Sequence, residues 1–237
     1  ESGWQEVSLP RTADVVVVNT CSIRQHAENR AIGFLRSVAR RKGGKPALCL
    51  HGCMAGFHGA VLLHRFPFLS AVCAPARWDR LPSVLADILA GKRVAVLGDG
   101  DNRFPPLMRS SGMISVSVPI TSGCNNRCSY CVVPAARGPL RSRPREEIVA
   151  EIRALADAGA REVILLGQNV NEYGGGGSAF VSLLEAVHEI PGIARIRFLS
   201  SHPKDIPAAL FSAWQRLPGL VRHLHLPLQS ASDRILA

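Results

Sequence analysis

The sequence predicts an α/β protein: an N-terminal parallel three-layer α/β domain over residues 1–104, followed by a partial (β/α) barrel over residues 105–237. Three observations predict it. Short β-branched apolar runs alternate with amphipathic helical stretches along the chain, the pattern of parallel strands joined by crossover helices. Glycines and polar clusters fall just after the apolar runs, at the carboxyl edge where such sheets place their sites. A turn-rich stretch, Gly98 to Pro106, divides the alternation in two.

The first segment opens with Ala13-Asp14-Val15-Val16-Val17-Val18-Asn19, a continuous run that reads as a strand buried on both faces. Ile23 to Lys42 reads as a helix with Ser22 as N-cap and Ala27, Ala31, Phe34, Leu35 and Val38 on one face. Its end is basic (Arg36, Arg40, Arg41, Lys42, Lys45), which suits the helix dipole. A second strand, Pro46 to His51, ends in Gly52-Cys53-Met54-Ala55, and a helix from about His58 to Arg65 follows. The strand Leu69 to Ala74 leads to a helix from Trp78 to Ala90, stopped at Gly91. Lys92 to Leu97 reads as a short strand, and Arg103 and Arg109 as solvated linker charge, with nucleic-acid contact the alternative. Cys49 and Cys73 lie inside strands, where a thiol acts as a small buried hydrophobe; Cys49 faces the side of the sheet opposite to Leu48 and Leu50. Cys21 and Cys53 sit just past strand ends, either as two thiolates of one site or as unrelated buried thiols.

The second segment begins with a strand from Met113 to Ile120 and a turn at Ser122-Gly123. Gly123-Cys124-Asn125-Asn126-Arg127-Cys128-Ser129-Tyr130-Cys131 follows, then a basic loop with Arg137, Arg141, Arg143 and Arg145. Arginine suits phosphate contact, and acidic neighbours such as Glu146 and Glu147 offer the alternative of structural pinning. Pro144 opens a helix over about Arg145 to Ala158, ended by Gly159. The strand Glu162 to Gly167 is followed by Gln168 to Tyr173 and by Gly174 to Gly177, a run read as a flexible loop because it lacks the P-loop Lys and Ser/Thr. Helices over Phe180 to Glu189 and Lys204 to Gln215, and strands over Ala194 to Leu199 and His223 to Leu226, complete about four βα units. Ser201, His202, His225 and Gln229 fall at strand carboxyl ends and are site candidates there.

The C-x3-C-x2-C spacing lets one loop supply three soft ligands at small loop-closure cost. An ordinary iron–sulfur site uses four cysteines; three leave one iron open to a substrate. Zinc with a distant fourth ligand such as His202 or His225 is the alternative. Seven cysteines, an odd number, point to a reducing compartment rather than a disulfide framework. Apolar content of 47% with 19% charged residues excludes a disordered chain, and no apolar run reaches the roughly 18 residues of a membrane span. The net charge of +10 favours a polyanionic partner, most simply a nucleic acid. The expectation is a cytoplasmic monomer with no membrane partner.

The cysteine spacing, with Tyr130 before the last thiol, resembles the signature of radical S-adenosylmethionine (SAM) enzymes. The string GCNNRCSYCVVPAARGPLRSRP resembles the methylthiotransferase family within them, as do Asn19 to Arg30 (NTCSIRQHAENR), Gly52-Cys-Met-Ala55 and LLGQNVNEYG. This resemblance implies two [4Fe–4S] clusters. One is held by Cys124, Cys128 and Cys131 and chelates SAM; an auxiliary one is held by Cys21, Cys53 and a third cysteine that this sequence lacks. It also makes Gln168 and Asn169 candidates for contact with SAM, to which Tyr130, Ser201 and Gln229 are added as cofactor candidates from their positions. Arg137, Arg141 and Arg143 are candidates for RNA contact from their chemistry, although the family's RG…SRP string makes part of that loop architectural. The family's first strand, the rest of its barrel and a small RNA-binding β domain have no counterpart here, so the chain is expected to be an inactive fragment.

NTCSIR, CSYCVVP, LLGQNVN and SSHP match the tRNA-modifying branch best. That branch implies addition of a methylthio group to C2 of an N6-isopentenyl-type adenosine beside the anticodon. A 5′-deoxyadenosyl radical from SAM takes hydrogen from the C–H, the auxiliary cluster provides sulfur, and a second SAM provides the methyl group. The implied partners are the tRNA anticodon stem-loop, a flavodoxin- or ferredoxin-type electron donor and an unknown sulfur donor. The alternatives are a methylthiotransferase acting on a ribosomal protein or on threonylcarbamoyl-adenosine tRNA, and a non-catalytic iron–sulfur or zinc RNA-binding module.

Overall fold

The computed structural model describes residues 3–40, 46–98, 100, 104 and 112–236. Two compact units emerge: Glu1–Pro105 with Asn125–Pro139, and Pro106–Cys124 with Leu140–Ala237. Segment 125–139, which the sequence reading assigns to the second domain, therefore packs with the first unit. Arg41, Lys42, Lys45, Arg103, Arg109 and the expected break at 104/105 lie outside the described residues or at their edge.

The first unit is a parallel sheet in the order β1 (Val15–Thr20), β2 (Ala47–Gly52), β3 (Ala71–Cys73), β4 (Val94–Val96). Helix α1 (Gln25–Ala39), with α2 (Cys53–His58) and α3 (Val61–Arg65), covers one face through Ile32, Leu35, Val38, Met54, Ala55 and Leu62 against Leu48, Leu50 and Val72. Helix α4 (Leu81–Leu89) covers the other through Val84 and Ile88 against Cys49, Ala71 and Cys73. The three-layer arrangement and the inverted phase of Cys49 are as the alternation predicts. The short helix α5 (Val133–Arg137) packs on α2.

Several expectations need correction here. β1 is an edge strand rather than one buried on both faces: Val16 and Val18 join the core, but Val17 is 39% exposed, because α4 packs over β2 to β4 and leaves that face of β1 open. Ser22 is not the N-cap of α1. Arg24 holds that position without a side-chain cap, and the Ser22 hydroxyl instead donates to Glu28 Oε1 at 2.6 Å. Phe34 points outward, and Ile32 takes the buried place. The residues after β2 are helical from Cys53 onward, and the expected helix over 58–65 begins only at Val61. The expected helix from Trp78 is a 3-10 turn over Pro75–Arg80 followed by α4, with a proline in its first turn.

In the second unit β5 (Ser115–Pro119), β8 (Glu162–Leu166) and β9 (Arg195–Phe198) form a parallel sheet in the order β5-β8-β9. Between them in the chain, β6 (Thr121–Ser122) and β7 (Arg141–Ser142) make a two-stranded antiparallel ribbon. Helices α6 (Arg145–Asp157), α7 (Ser178–His188) and α8 (Ala209–Arg216) cover one face. Their apolar positions Ile148, Ile152, Leu183, Leu184 and Leu210 meet Val116, Val118, Val163, Leu165 and Ile196. Phe198 sits edge-on to Phe180 with centroids 5.3 Å apart and stacks on Trp214 at 6.2 Å, tying α7 and α8 to the same strand.

The fourth strand expected over His223–Leu226 does not form. Sheet pairing beyond β9 is one bridge, Ile196 to Leu220, after which the chain runs irregularly to α9 (Asp233–Leu236). The helix expected from Lys204 splits into a 3-10 turn over Pro203–Asp205 and α8. Pro207 holds Ile206 extended (ψ 113) and keeps it out of a helix. The glycine run is not a loose loop: Val170–Gly175 forms 3-10 turns, and Gly174 to Gly177 all have positive φ. That segment is tied to the ribbon by Gly174 N–H donating to Ser142 Oγ at 2.9 Å and by Tyr173 O–H donating to the Arg143 carbonyl at 2.9 Å.

Candidate metal centres and cofactor edge

In the first unit the β1–β2 register places Thr20 opposite Gly52. Cys21 and Cys53, the next residue on each strand, therefore leave the sheet side by side. Gly52 has φ of 100°, and a β-carbon there would collide with Asn19 Oδ1 and the Thr20 backbone, so this close crossing demands glycine. Cys21 is exposed, and its sulfur accepts the Ile23 N–H at 3.4 Å. Cys53 is buried, and the Arg137 guanidinium donates from Nε to its sulfur at 3.1 Å. His51, two residues before Cys53, has its pKa pushed down by burial and then by the Arg137 charge.

The other two thiols of this unit have a different character. Burial, and then the neighbouring Cys73, push Cys49 up to about 12. Burial and then Asp79 push Cys73 up to about 11, against the opposing Arg77. Both stay protonated at neutral pH and make poor ligands, in keeping with their reading as buried hydrophobes.

The loop carrying the C-x3-C-x2-C motif has no regular structure. Its three thiols are half-buried, and none of the seven cysteines is in a disulfide. Cys131 N–H closes a turn onto the Cys128 carbonyl at 3.0 Å. Tyr130 is 61% exposed; partial desolvation, and then the Cys128 and Cys131 sulfurs, push its hydroxyl pKa up. In the second unit the Gly123 N–H at the head of the loop donates to Gln168 Oε1 at 2.9 Å, so Gln168 steadies the loop's entry. Among the described residues no three His, Cys, Asp or Glu side chains converge closely enough to hold a metal ion. The donor chemistry is what fits: three accessible thiols on one unstructured loop suit soft iron. His202 and His225 are occupied locally, His202 Nδ1 accepting from Lys204 N–H at 3.3 Å and His225 Nδ1 from Ser200 N–H at 3.2 Å.

The carboxyl edge of the second sheet carries a set of buried polar atoms without hydrogen-bond partners: Thr121 Oγ1, Asn169 Oδ1, both amide atoms of Asn171, and Ser201 Oγ. These follow β5, β8 and β9. A β-carbon on Gly167 would collide with Thr121, and Val170 N–H donates to the Ser200 carbonyl at 3.1 Å, so the strand ends are drawn together. Asn169 Nδ2 donates to Asp205 Oδ2 at 2.6 Å and to Glu172 Oε2 at 3.2 Å, which fixes its amide and leaves Oδ1 presented. Buried polar groups are normally paired, so orphans grouped at a sheet edge mark a place for a polar ligand. The amino, carboxylate and hydroxyl groups of SAM suit such an edge. Of these four residues, the sequence had named Asn169 and Ser201 as candidates and had not named Asn171 or Thr121. Asn171 lay in the same polar run, whereas Thr121 gave no signal beyond adjoining the turn. Gln229 is exposed on the irregular stretch after residue 220.

The arginine loop divides. Arg137 ends α5 and faces Cys53. Arg143, with 10% of its side chain exposed, pairs with Glu151 at 2.6 Å and donates to the Pro119 carbonyl at 3.0 Å. The acidic partner seen here is Glu151 of α6, which is structural pinning of the kind the sequence offered as the alternative to RNA contact. Arg141 lies in β7, half-buried, with Nη1 lacking a partner.

Fold and donor sets together define an α/β protein with thiols presented at the carboxyl edges of two parallel sheets. The chain belongs to the radical SAM superfamily, whose family model matches residues 118–237. Residues 1–74 match a second family, described as Uncharacterized protein family UPF0004. Among curated relatives, tRNA-2-methylthio-N(6)-dimethylallyladenosine synthase of Leptothrix cholodnii is 41% identical over 99% of this chain and 52% of that protein. The synthases of the same name from Nitrosomonas europaea and Thiobacillus denitrificans are 41% and 42% identical, covering 100% and 99% of this chain and 56% and 55% of those proteins. The chain thus spans about half the length of these curated relatives. Among solved structures, the radical SAM methyltransferase TsrM from Kitasatospora setae has a TM-score of 0.65 at 16% identity, over 93% of this chain and 49% of that one. The cobalamin-dependent SAM radical enzyme OxsB has a TM-score of 0.59 at 12% identity, over 94% and 36%. These two show the fold.

Proposed function

We propose that this chain is the cluster-bearing part of a radical SAM methylthiotransferase that modifies C2 of an N6-isopentenyl-type adenosine in tRNA. The observation that carries the reading is the loop Cys124, Cys128, Cys131, set in a chain aligned throughout with synthases of that name. In this reading residues 1–104 are the auxiliary-cluster domain and 105–237 part of the radical SAM barrel.

The three loop thiols would hold a [4Fe–4S] cluster with one open iron, and Cys21 and Cys53 would supply ligands to the second. With SAM and one electron from an external donor, such a cluster would supply a carbon radical able to take hydrogen from an aromatic C–H, which offers polar side chains no acidic proton and no leaving group. The chain's own residues bind and orient. Gln168 holds the head of the cysteine loop through Gly123. Thr121, Asn169, Asn171 and Ser201 offer SAM the hydrogen-bonding atoms that the fold leaves unpaired. The excess of basic residues, 28 against 18 acidic, draws the polyanionic RNA, with Arg141 a backbone contact. A base in a single-stranded anticodon loop leaves its stack at low cost. A low-potential electron donor and a sulfur source complete the set of partners.

The test is mass analysis of tRNA nucleosides after anaerobic incubation of the full-length protein with SAM, reductant and hypomodified tRNA. The reading predicts a methylthio-adenosine derivative carrying the isopentenyl group. Unmodified tRNA beside a methylthiolated ribosomal protein would transfer the assignment to the protein-modifying branch.

A further inference from the structure

We propose that Arg137 is a positioning residue for the Cys53 sulfur, seated by α5 acting as a strap across α2, and that it sets the electronic character of whatever metal group Cys53 ligates. This rests on the reading of Cys53 as an auxiliary-cluster ligand. Three observations in the first unit carry it. Arg137 Nε donates to Cys53 Sγ at 3.1 Å, a directed contact from a cationic guanidinium. Cys53 is buried at the first turn of α2, where a hydrogen bond to sulfur is poorly screened by water.

The third observation is how the donor is held. α5 approaches α2 so closely that a β-carbon on Gly56 would collide with the Ala136 carbonyl oxygen, one residue before Arg137. α5 then ends abruptly at Gly138 (φ 76°), leaving Arg137 on its last turn. An arginine meant only for RNA needs no such backbone fit and would extend into solvent. α5 begins two residues after Cys131, and Cys128, Cys131 and α5 all belong to this unit. Seating the end of the cysteine loop and placing the donor on Cys53 are thus one structural event. A cationic donor on a ligating sulfur favours the more negative, reduced state and so raises the reduction potential.

The test uses full-length protein with Cys124, Cys128 and Cys131 all changed to Ala, reconstituted anaerobically with iron and sulfide so that only the auxiliary site can load. Iron and sulfide per chain and the midpoint potential, followed by electron paramagnetic resonance, are compared with Arg137 intact and in Arg137→Ala, Arg137→Lys and Gly56→Ala. The expected result is a midpoint shifted to lower potential in Arg137→Ala. Gly56→Ala should shift the same way, because it pushes α5 off, and Arg137→Lys, which keeps the charge but not the fork, should fall between. An unchanged midpoint in folded, loaded Arg137→Ala overturns the proposal. Should that variant fail to fold or load, Gly56→Ala and Arg137→Lys carry the same comparison. No cluster even with Arg137 intact would instead overturn Cys53 as a ligand, and this inference with it.

Discussion

Asn171 is fully buried with both ends of its amide unpaired, a state that costs free energy unless something else answers it. Its neighbour Asn169 is held by Asp205 and Glu172, so the edge is partly built from side chains and partly left open. If the open part is meant for SAM, stability and function should separate there. Asn171→Leu is expected to leave the SAM-free protein as stable or more stable, by up to about 1–3 kcal/mol in chemical denaturation, since the uncompensated amide is gone. The same variant should bind SAM at least about tenfold more weakly by calorimetry, the scale of a lost hydrogen bond to a charged group. A stable variant with undiminished affinity would remove Asn171 from the site. At this scale the sequence was informative about residue type and poor about partners. It marked the polar run 168–173 and the arginine loop. It could not show that Arg143 pairs with Glu151 or that Arg137 meets Cys53, because those partners lie 8 and 84 residues away and are brought together by tertiary packing.

Strand alternation was legible because its physical cause is local: β-branched runs and amphipathic helices bury one periodic face each. β1, β2, β5, β8 and β9 lie within or almost within the runs that predicted them, and α6 and α7 shift by a residue or two. What failed had non-local causes. The extent of α4 over the sheet decides that β1 is half-open, and sheet continuation beyond β9 decides that 223–226 is not a strand. Proline broke two helices at positions visible in the sequence, at Pro82 and Pro207, and those breaks were there to be read. One tie between elements was not visible at all. Glu162 at the head of β8 accepts from Ser115 Oγ of β5 at 3.0 Å and pairs with Arg195 and Arg197 of β9 at 3.2 and 3.4 Å. The Ser115 hydrogen bond chiefly, with Arg197 and Arg195, lowers its pKa against an opposing contribution from burial. A carboxylate whose folded pKa is depressed stabilises the fold above its unfolded pKa, and that contribution disappears as pH falls through the folded value. The stability deficit of Glu162→Gln should therefore be full at neutral pH and vanish in acid below the ordinary glutamate range. A deficit independent of pH would assign the tie to shape rather than charge.

For the whole molecule, the sequence carried most of the functional reading through its thiols. Two parallel sheets joined by helical crossovers alone fit many activities. Three cysteines in eight residues narrow the chemistry to soft-metal binding, and superfamily membership gives that loop its context. The charge excess then points to a polyanionic substrate, although two of the three arginines expected to meet it are engaged inside the fold. No helix among the described residues is long and apolar enough to cross a membrane. The central claim is that Cys124, Cys128 and Cys131 hold a cluster whose open iron takes SAM. It is tested most directly by the electron paramagnetic resonance spectrum of the reduced, reconstituted full-length protein carrying Cys21→Ala and Cys53→Ala, recorded with and without SAM. The expected result is a [4Fe–4S] signal whose g-values change on SAM addition and which is absent when Cys128→Ala is added. A signal that ignores SAM, or that survives the loss of Cys128, would contradict it.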